Sequence, residues 1–175
     1  MVTSLREEVT IVVVTSFTAA CPSTALIEAT LSSFAFVPEL ETCRCIVVAD
    51  GFVASHRRRT KAGRITAEDA ALYVAYIDAL RRLVGVAAIP DNEAHAETGA
   101  SADNAQQRAL PRILQNTVVL ALETHHGFGW AVKAALESGH VETRQVLVVQ
   151  HDRCFMRPFD LARAEIGRAS CRERV

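Results

Sequence analysis

Four runs of consecutive apolar, mostly β-branched residues divide the chain, and between them the apolar positions recur at helical spacing. The first run, Val9–Thr15, reads VTIVVVT. Continuity rather than alternation marks a strand covered on both faces. A second run, Arg44–Ala49, a third over 116–122 and a fourth, Gln145–Gln150, have the same character. Pro22, Ser23 and Thr24 open a helix in which Ile27, Leu31 and Phe34 share a face, with Pro38 to stop it. Thr66-Ala67-Glu68-Asp69 resembles a capping box, with Asp where Glu or Gln is usual. After it Leu72, Tyr76, Leu80 and Leu83 repeat at helical spacing up to Gly85, and an Ala-rich helix spans 129–138 before Gly139. Alternating strands and helices predict an α/β fold: a mainly parallel, Rossmann-like sheet with helices on both faces.

That prediction gathers the chemistry. In a parallel sheet the strands' C-terminal ends share one rim, where open α/β sheets bind ligands. Ser16 follows the first strand, Asp50-Gly51 the second, His125 to Gly129 the third, and Gln150-His151-Asp152 the fourth. Gly127 and Gly129 let backbone approach a ligand closely. The helix they open has unpaired first amides, which favour an anion. Carboxylates on the same rim repel phosphate, so a bound diphosphate implies Mn²⁺ or Mg²⁺ between them. Plainer readings stand beside these. Asp50-Gly51 is equally an ordinary turn, His125-His126 is ordinary loop polarity, and Gly127-x-Gly129 lacks the third glycine of a dinucleotide fingerprint. Asp152 is sharper, since it follows an apolar run that can only be a strand exit.

Composition adds limits. The chain has 175 residues, half of them apolar, and a net charge of −1, so no general basicity points to nucleic acid. The basic run His56-Arg57-Arg58-Arg59, with Lys61 and Arg64, reads first as a solvated loop and second as a phosphate contact. Residues 86–110, rich in Ala, Asp, Asn and Glu, read as a flexible surface loop. The last eleven residues, EIGRASCRERV (165–175), look like a translated sequencing adapter and are expected to add nothing to the fold. The expectation is therefore one domain over 1–164, cut short at its C-terminal side. Setting Cys171 aside leaves Cys21, Cys43, Cys45 and Cys154; the Cys43/Cys45 pair faces one way, and no second close pair completes a tetrahedral metal site. Reduced thiols, no signal-peptide pattern and no membrane span in the sequence predict the cytoplasm or the cytosolic face of a membrane.

In their order these pieces resemble the GT-A nucleotide-sugar glycosyltransferases, especially inverting family two. VTIVVVTSFTAACPSTALIEATLSSF matches that family's first strand and helix, IVVADG its second strand ending in Asp-Gly, ETHHGFGWAVKAALESG its turn and Ala-rich helix, and VLVVQHD its fourth strand ending in an acidic triplet. The resemblance covers roughly 9–159. It implies transfer of a sugar from a nucleotide-diphosphate donor to an acceptor it does not identify. Asp50 with Gly51 would contact the base or ribose, Ser16 would lie near the base, and His126, Gly127 and Gly129 would meet the donor. Asp152 would hold the metal, with His151, or the sugar-diphosphate. Gln150 and His151 stand where the family has acidic residues, so one carboxylate remains there. The family's general base is expected beyond residue 164, and the chain alone is expected to be inactive.

Three alternatives are set beside this one. A nucleotidyltransferase needs a Gly-rich basic loop after the first strand, which TSFTAACPS does not supply. A metal-dependent hydrolase would use His125, His126, His151 and Asp152. A non-catalytic nucleotide- or sugar-binding domain is the third.

Overall fold

The protein is described by a computed structural model covering residues 4–87, 111–158 and 161. The expected loop over 86–110 lies, from 88 onward, outside the described residues, as does the tail 165–175. A helical turn α1 (Leu5–Glu8) leads into β1 (Val9–Thr15), α2 (Ala25–Ser32) and β2 (Arg44–Ala49). Two short strands, β3 (Val53–Ala54) and β4 (Arg64–Ile65), precede α3 (Ala67–Ala87), β5 (Thr117–Ala121), α4 (Phe128–Glu137) and β6 (Gln145–Gln150).

The four long strands form one all-parallel sheet in the order β5-β2-β1-β6. The chain builds outward from β1 through β2 to β5 and then returns to the other side of β1. The strand order therefore reverses between β1 and β6, which is the crevice position in this class of sheet.

Both faces of the central strands β1 and β2 are covered, as their continuous apolar runs predict, whereas β5 is only half-buried and the edge strand β6 leaves Val148 exposed. Ile11, Val13, Cys45, Val47 and Ala49 pack with Ile27 and Leu31 of α2, Phe34 after it, and Tyr73, Tyr76 and Leu80 of α3. Val12, Val14, Ile46 and Val48 pack with Ala131 and Ala135 of α4. Each large side chain buried this way contributes about 1.5–3 kcal/mol of transfer free energy. Cys43 and Cys45 share the first cluster as free thiols, and burial pushes them up to about 11 and about 12.

The expected capping box is present: Asp69 N–H donates to Thr66 Oγ1 at 3.2 Å, and Thr66 N–H to Asp69 Oδ2 at 3.4 Å. The apolar stripe of α3 is rotated from the expected one. Leu72 is 39% exposed, and the buried positions are Tyr73, Tyr76, Ile77 and Leu80. The hydroxyl of Tyr73 explains the rotation, since it donates to the Asp50 carbonyl at 2.8 Å while its ring meets Tyr76, Phe17 and Phe52. The helix also passes Gly85, ending at Ala87.

The parallel pair β3–β4 was not expected, because two-residue strands carry no periodicity. It folds the basic segment back, with Val53 N–H donating to Gly63 O and Ser55 N–H to Ile65 O, both at 2.8 Å. Arg58, within the run read as solvated, makes a two-point ion pair with Asp69 and lies over the Phe17 ring at 5.7 Å. Among the described residues no helix is long and apolar enough to cross a membrane.

Candidate functional site

The carboxyl rim of the sheet carries a cleft of about 310 Å³. Its lining comes from the ends of β1 (Val14, Thr15, Ser16), β2 (Asp50) and β6 (Gln150, His151, Asp152). The loop opening α4 adds His125, Gly127 and Phe128, and the folded-back segment adds Thr60 and Lys61. Asp50 and Asp152 thus share one rim, as the parallel-sheet reading requires.

Asp50 is the best-anchored residue there, 2% exposed. Its N–H donates to Thr15 O at 2.8 Å, continuing the β1–β2 ladder past the strand end. Its carboxylate holds the β5–α4 loop. Oδ1 accepts from His126 N–H at 2.8 Å, and Oδ2 from Gly127 N–H at 2.9 Å. His125 Nδ1 stands 2.8 Å from the same Oδ2. An ionised carboxylate has about four acceptor positions, and three are filled by the protein's own chain. Asp50, expected to touch the donor, thus holds the loop that faces the cleft while lining the cleft itself.

Gly51 and Gly127 have distinct reasons to be glycine. A Cβ on Gly51 would overlap the backbone of Thr124. Close approach of the β2 exit to this loop therefore requires a bare α-carbon, and that approach brings residues 125–127 within reach of Asp50. Gly127 has φ +77 and is the N-cap of α4, with no side-chain cap on the helix. The start of α4, at Gly127 and Phe128, borders the cleft, and the positive end of the helix dipole lies there. Gly129 has open space around it, so no crowding requires glycine there.

Of the expected site residues, Ser16, Asp50, Gly127, His151 and Asp152 line the cleft, whereas Gly51, His126 and Gly129 stand outside the lining. His126 takes part through its backbone amide; its ring is 3.9 Å from Asp50 Oδ1, beyond hydrogen-bond range, and lies against Thr124 O. Phe128 and Gly63 lie outside the expected site residues. Lys61 belongs to the basic run, where phosphate contact was the second reading, and it is the lysine that reaches the cleft. Gly63, at φ +64, lies directly against the His125 ring.

The β6 exit brings His151 and Asp152 to the cleft. His151 Nδ1 is 3.3 Å from Val14 O, and its carbonyl accepts from Thr30 Oγ1 at 2.6 Å, so the residue is tied to β1 and α2. The Asp152 side chain is 51% exposed, with Arg153 Nε 3.9 Å away. Among the described residues no three His, Cys, Asp or Glu side chains form a group that could hold a metal ion. One exposed carboxylate beside an amide and an imidazole supplies only part of a hard dication's shell, the rest of which waters and substrate phosphates would fill.

No family model, no curated protein and no solved structure matches this chain.

Proposed function

We propose that the chain binds a nucleoside-diphosphate-sugar in the rim cleft and serves a glycosyltransferase of the GT-A kind. The observation that carries this reading is the cleft's position and lining: it lies where the strand order reverses, and it brings together Ser16, Lys61, the Asp50-held loop and the uncapped start of α4. The diphosphate would sit against the first turn of α4, beside Lys61, where backbone amides and one ammonium offset its charge. Phe128, 45% exposed at the cleft edge, offers a flat apolar surface for a base or sugar ring. Asp50 acts through the loop it holds.

A divalent cation would enter with the diphosphate rather than reside beforehand, with Asp152 as its protein ligand and the remaining positions filled by phosphate oxygen and water. Charge compensation by Lys61 and α4 makes the expected dependence on Mn²⁺ or Mg²⁺ modest.

Calorimetric titration with uridine and guanosine diphosphate-sugars, with and without Mn²⁺, tests the reading. Expected is saturable binding of at least one, competed by the matching nucleoside diphosphate. Failure of every nucleotide to bind would remove the proposal and leave the α/β fold. Binding with no sugar transfer to any acceptor by the full-length protein would favour a non-catalytic binding domain.

A further inference from the structure

His125 is held from three sides at the cleft. Its Nδ1 is 2.8 Å from Asp50 Oδ2, and its ring lies on the bare α-carbon of Gly63, where a Cβ would overlap it. Three separate segments thus converge to fix one imidazole: the β2 exit at Asp50, the turn before β4 at Gly63, and the β5–α4 loop itself. The side chain keeps 22% of its surface exposed and borders the cleft.

The partner of Nδ1 decides the chemistry of the other nitrogen. The Asp50 carboxylate already accepts two backbone N–H bonds, so it is an acceptor toward the ring as well. A hydrogen on Nδ1 would face that carboxylate, 2.8 Å away, and in that neutral tautomer Nε2 is left with a lone pair.

We propose that His125 reads a hydroxyl group of the bound nucleotide-sugar, its Nε2 accepting that hydroxyl's hydrogen bond, with Asp50 as the positioning residue. This rests on the nucleotide-sugar reading given above. The shared chemistry is a hydroxyl next to a diphosphate, whether on the ribose or on the transferred sugar.

The informative variant is His125→Asn. Its amide nitrogen stands near the place of Nδ1 and still donates to Asp50, while the acceptor at Nε2 is lost. Titrations compare wild type, His125→Asn and His125→Gln with uridine diphosphate, its 2′-deoxy and 3′-deoxy analogues, and uridine diphosphate-glucose. Expected is about a tenfold loss of affinity in His125→Asn, partly restored in His125→Gln. The loss should vanish on the analogue that lacks the hydroxyl being read. Disappearance on one deoxyribose analogue assigns the ribose; a loss confined to the glucose conjugate assigns the sugar.

Equal affinities of wild type and His125→Asn for every probe overturn the proposal while leaving nucleotide binding intact. A loss of the same size on every analogue overturns it too, because the effect is then structural. No binding of any probe by the wild type overturns both this inference and the reading it rests on. A readout independent of the variants is the ¹⁵N spectrum of His125 in the unliganded wild type. The Nδ1-protonated neutral tautomer is expected, with Nε2 shifting when uridine diphosphate is added; an Nε2-protonated ring overturns the assignment.

Discussion

Gly63 and His125 share one space: the imidazole rests on the glycine's α-carbon, and a side chain there would overlap the Cβ, Cγ and Cδ2 of the histidine. Gly63 also adopts φ +64, a left-handed conformation that costs an L-residue about 1–2 kcal/mol. Gly63→Ala therefore combines backbone strain with expulsion of the ring from its contact with Asp50. A loss of about 2–4 kcal/mol in urea unfolding is expected, with weaker nucleotide binding. Stability unchanged within error would mean that the ring does not occupy this position.

Asp50→Ala should behave mainly as a folding mutation. Removing the carboxylate orphans the His126 and Gly127 amides and His125 Nδ1 together. Each unsatisfied donor costs about 1–3 kcal/mol when shielded from water, and partial hydration of this loop brings the expected total to about 3 kcal/mol. Chemical denaturation measures it. A small stability loss with a large affinity loss would restore Asp50 to direct ligand contact.

The Arg58–Asp69 pair gives a pH signature. The hydrogen bond from Arg58 holds the Asp69 carboxyl below its usual range, burial opposes this, and the capping bonds at Thr66 add to the lowering. A carboxyl depressed in the folded state contributes stability that is fully present above its unfolded pKa of about 4 and is lost as pH falls through the folded value. Wild type should therefore lose stability below about pH 4, and Asp69→Asn should show a shallower acid slope over that window. Thermal melts from pH 6 to 2.5 measure the difference; parallel slopes would remove the pair's role.

Thiol reactivity separates the cysteines by environment. Cys45 and Cys43 are buried, with thiols raised to about 12 and about 11, so at pH 8 almost none of either is thiolate, the reactive form. Cys154 is exposed. In a Cys171→Ser background, a thiol reagent should label Cys154 rapidly and Cys43 and Cys45 only on unfolding, as peptide mapping would show. Fast labelling of Cys45 in the native protein would contradict a buried β2.

The four-stranded sheet is legible in the sequence because strands covered on both faces, as β1 and β2 are, must be continuously apolar; QVLVVQ has the same pattern although Val148 on that edge strand is exposed. The rim follows from parallel topology alone, which is why Asp50 and Asp152 are placed correctly without any contact being known. What Asp50 does is not legible, because its partners are backbone amides 76 and 77 positions away, and amides carry no residue signature. The stripe on α3 is misread for a related reason. Tyr73 is turned inward by a hydrogen bond to the Asp50 carbonyl and by stacking on Tyr76, tertiary contacts that outweigh the spacing of Leu72. The β3–β4 pair, which delivers Lys61 and Gly63, is two residues deep and lies below the length at which periodicity can speak.

Lys61 provides the most direct test of where an anion binds. It reaches the cleft from the basic segment while Arg58 of the same segment is held by Asp69, so the two cations have different roles despite being three positions apart. If the diphosphate lies between Lys61 and the start of α4, Lys61→Ala should weaken uridine diphosphate binding three- to tenfold, or about 0.7–1.4 kcal/mol. The loss should be smaller for the monophosphate and absent for uridine, which has no phosphate to contact. Raising salt from 0.05 to 0.5 M should shrink the difference between wild type and variant, because an ammonium at the rim is screened. Lys61 makes no large buried contact, so the melting temperature should stay within a degree or two of wild type. Isothermal titration of the three ligands at two salt concentrations is sufficient. Equal losses for uridine and its diphosphate would move the phosphate away from Lys61 and leave the start of α4 as its only anchor.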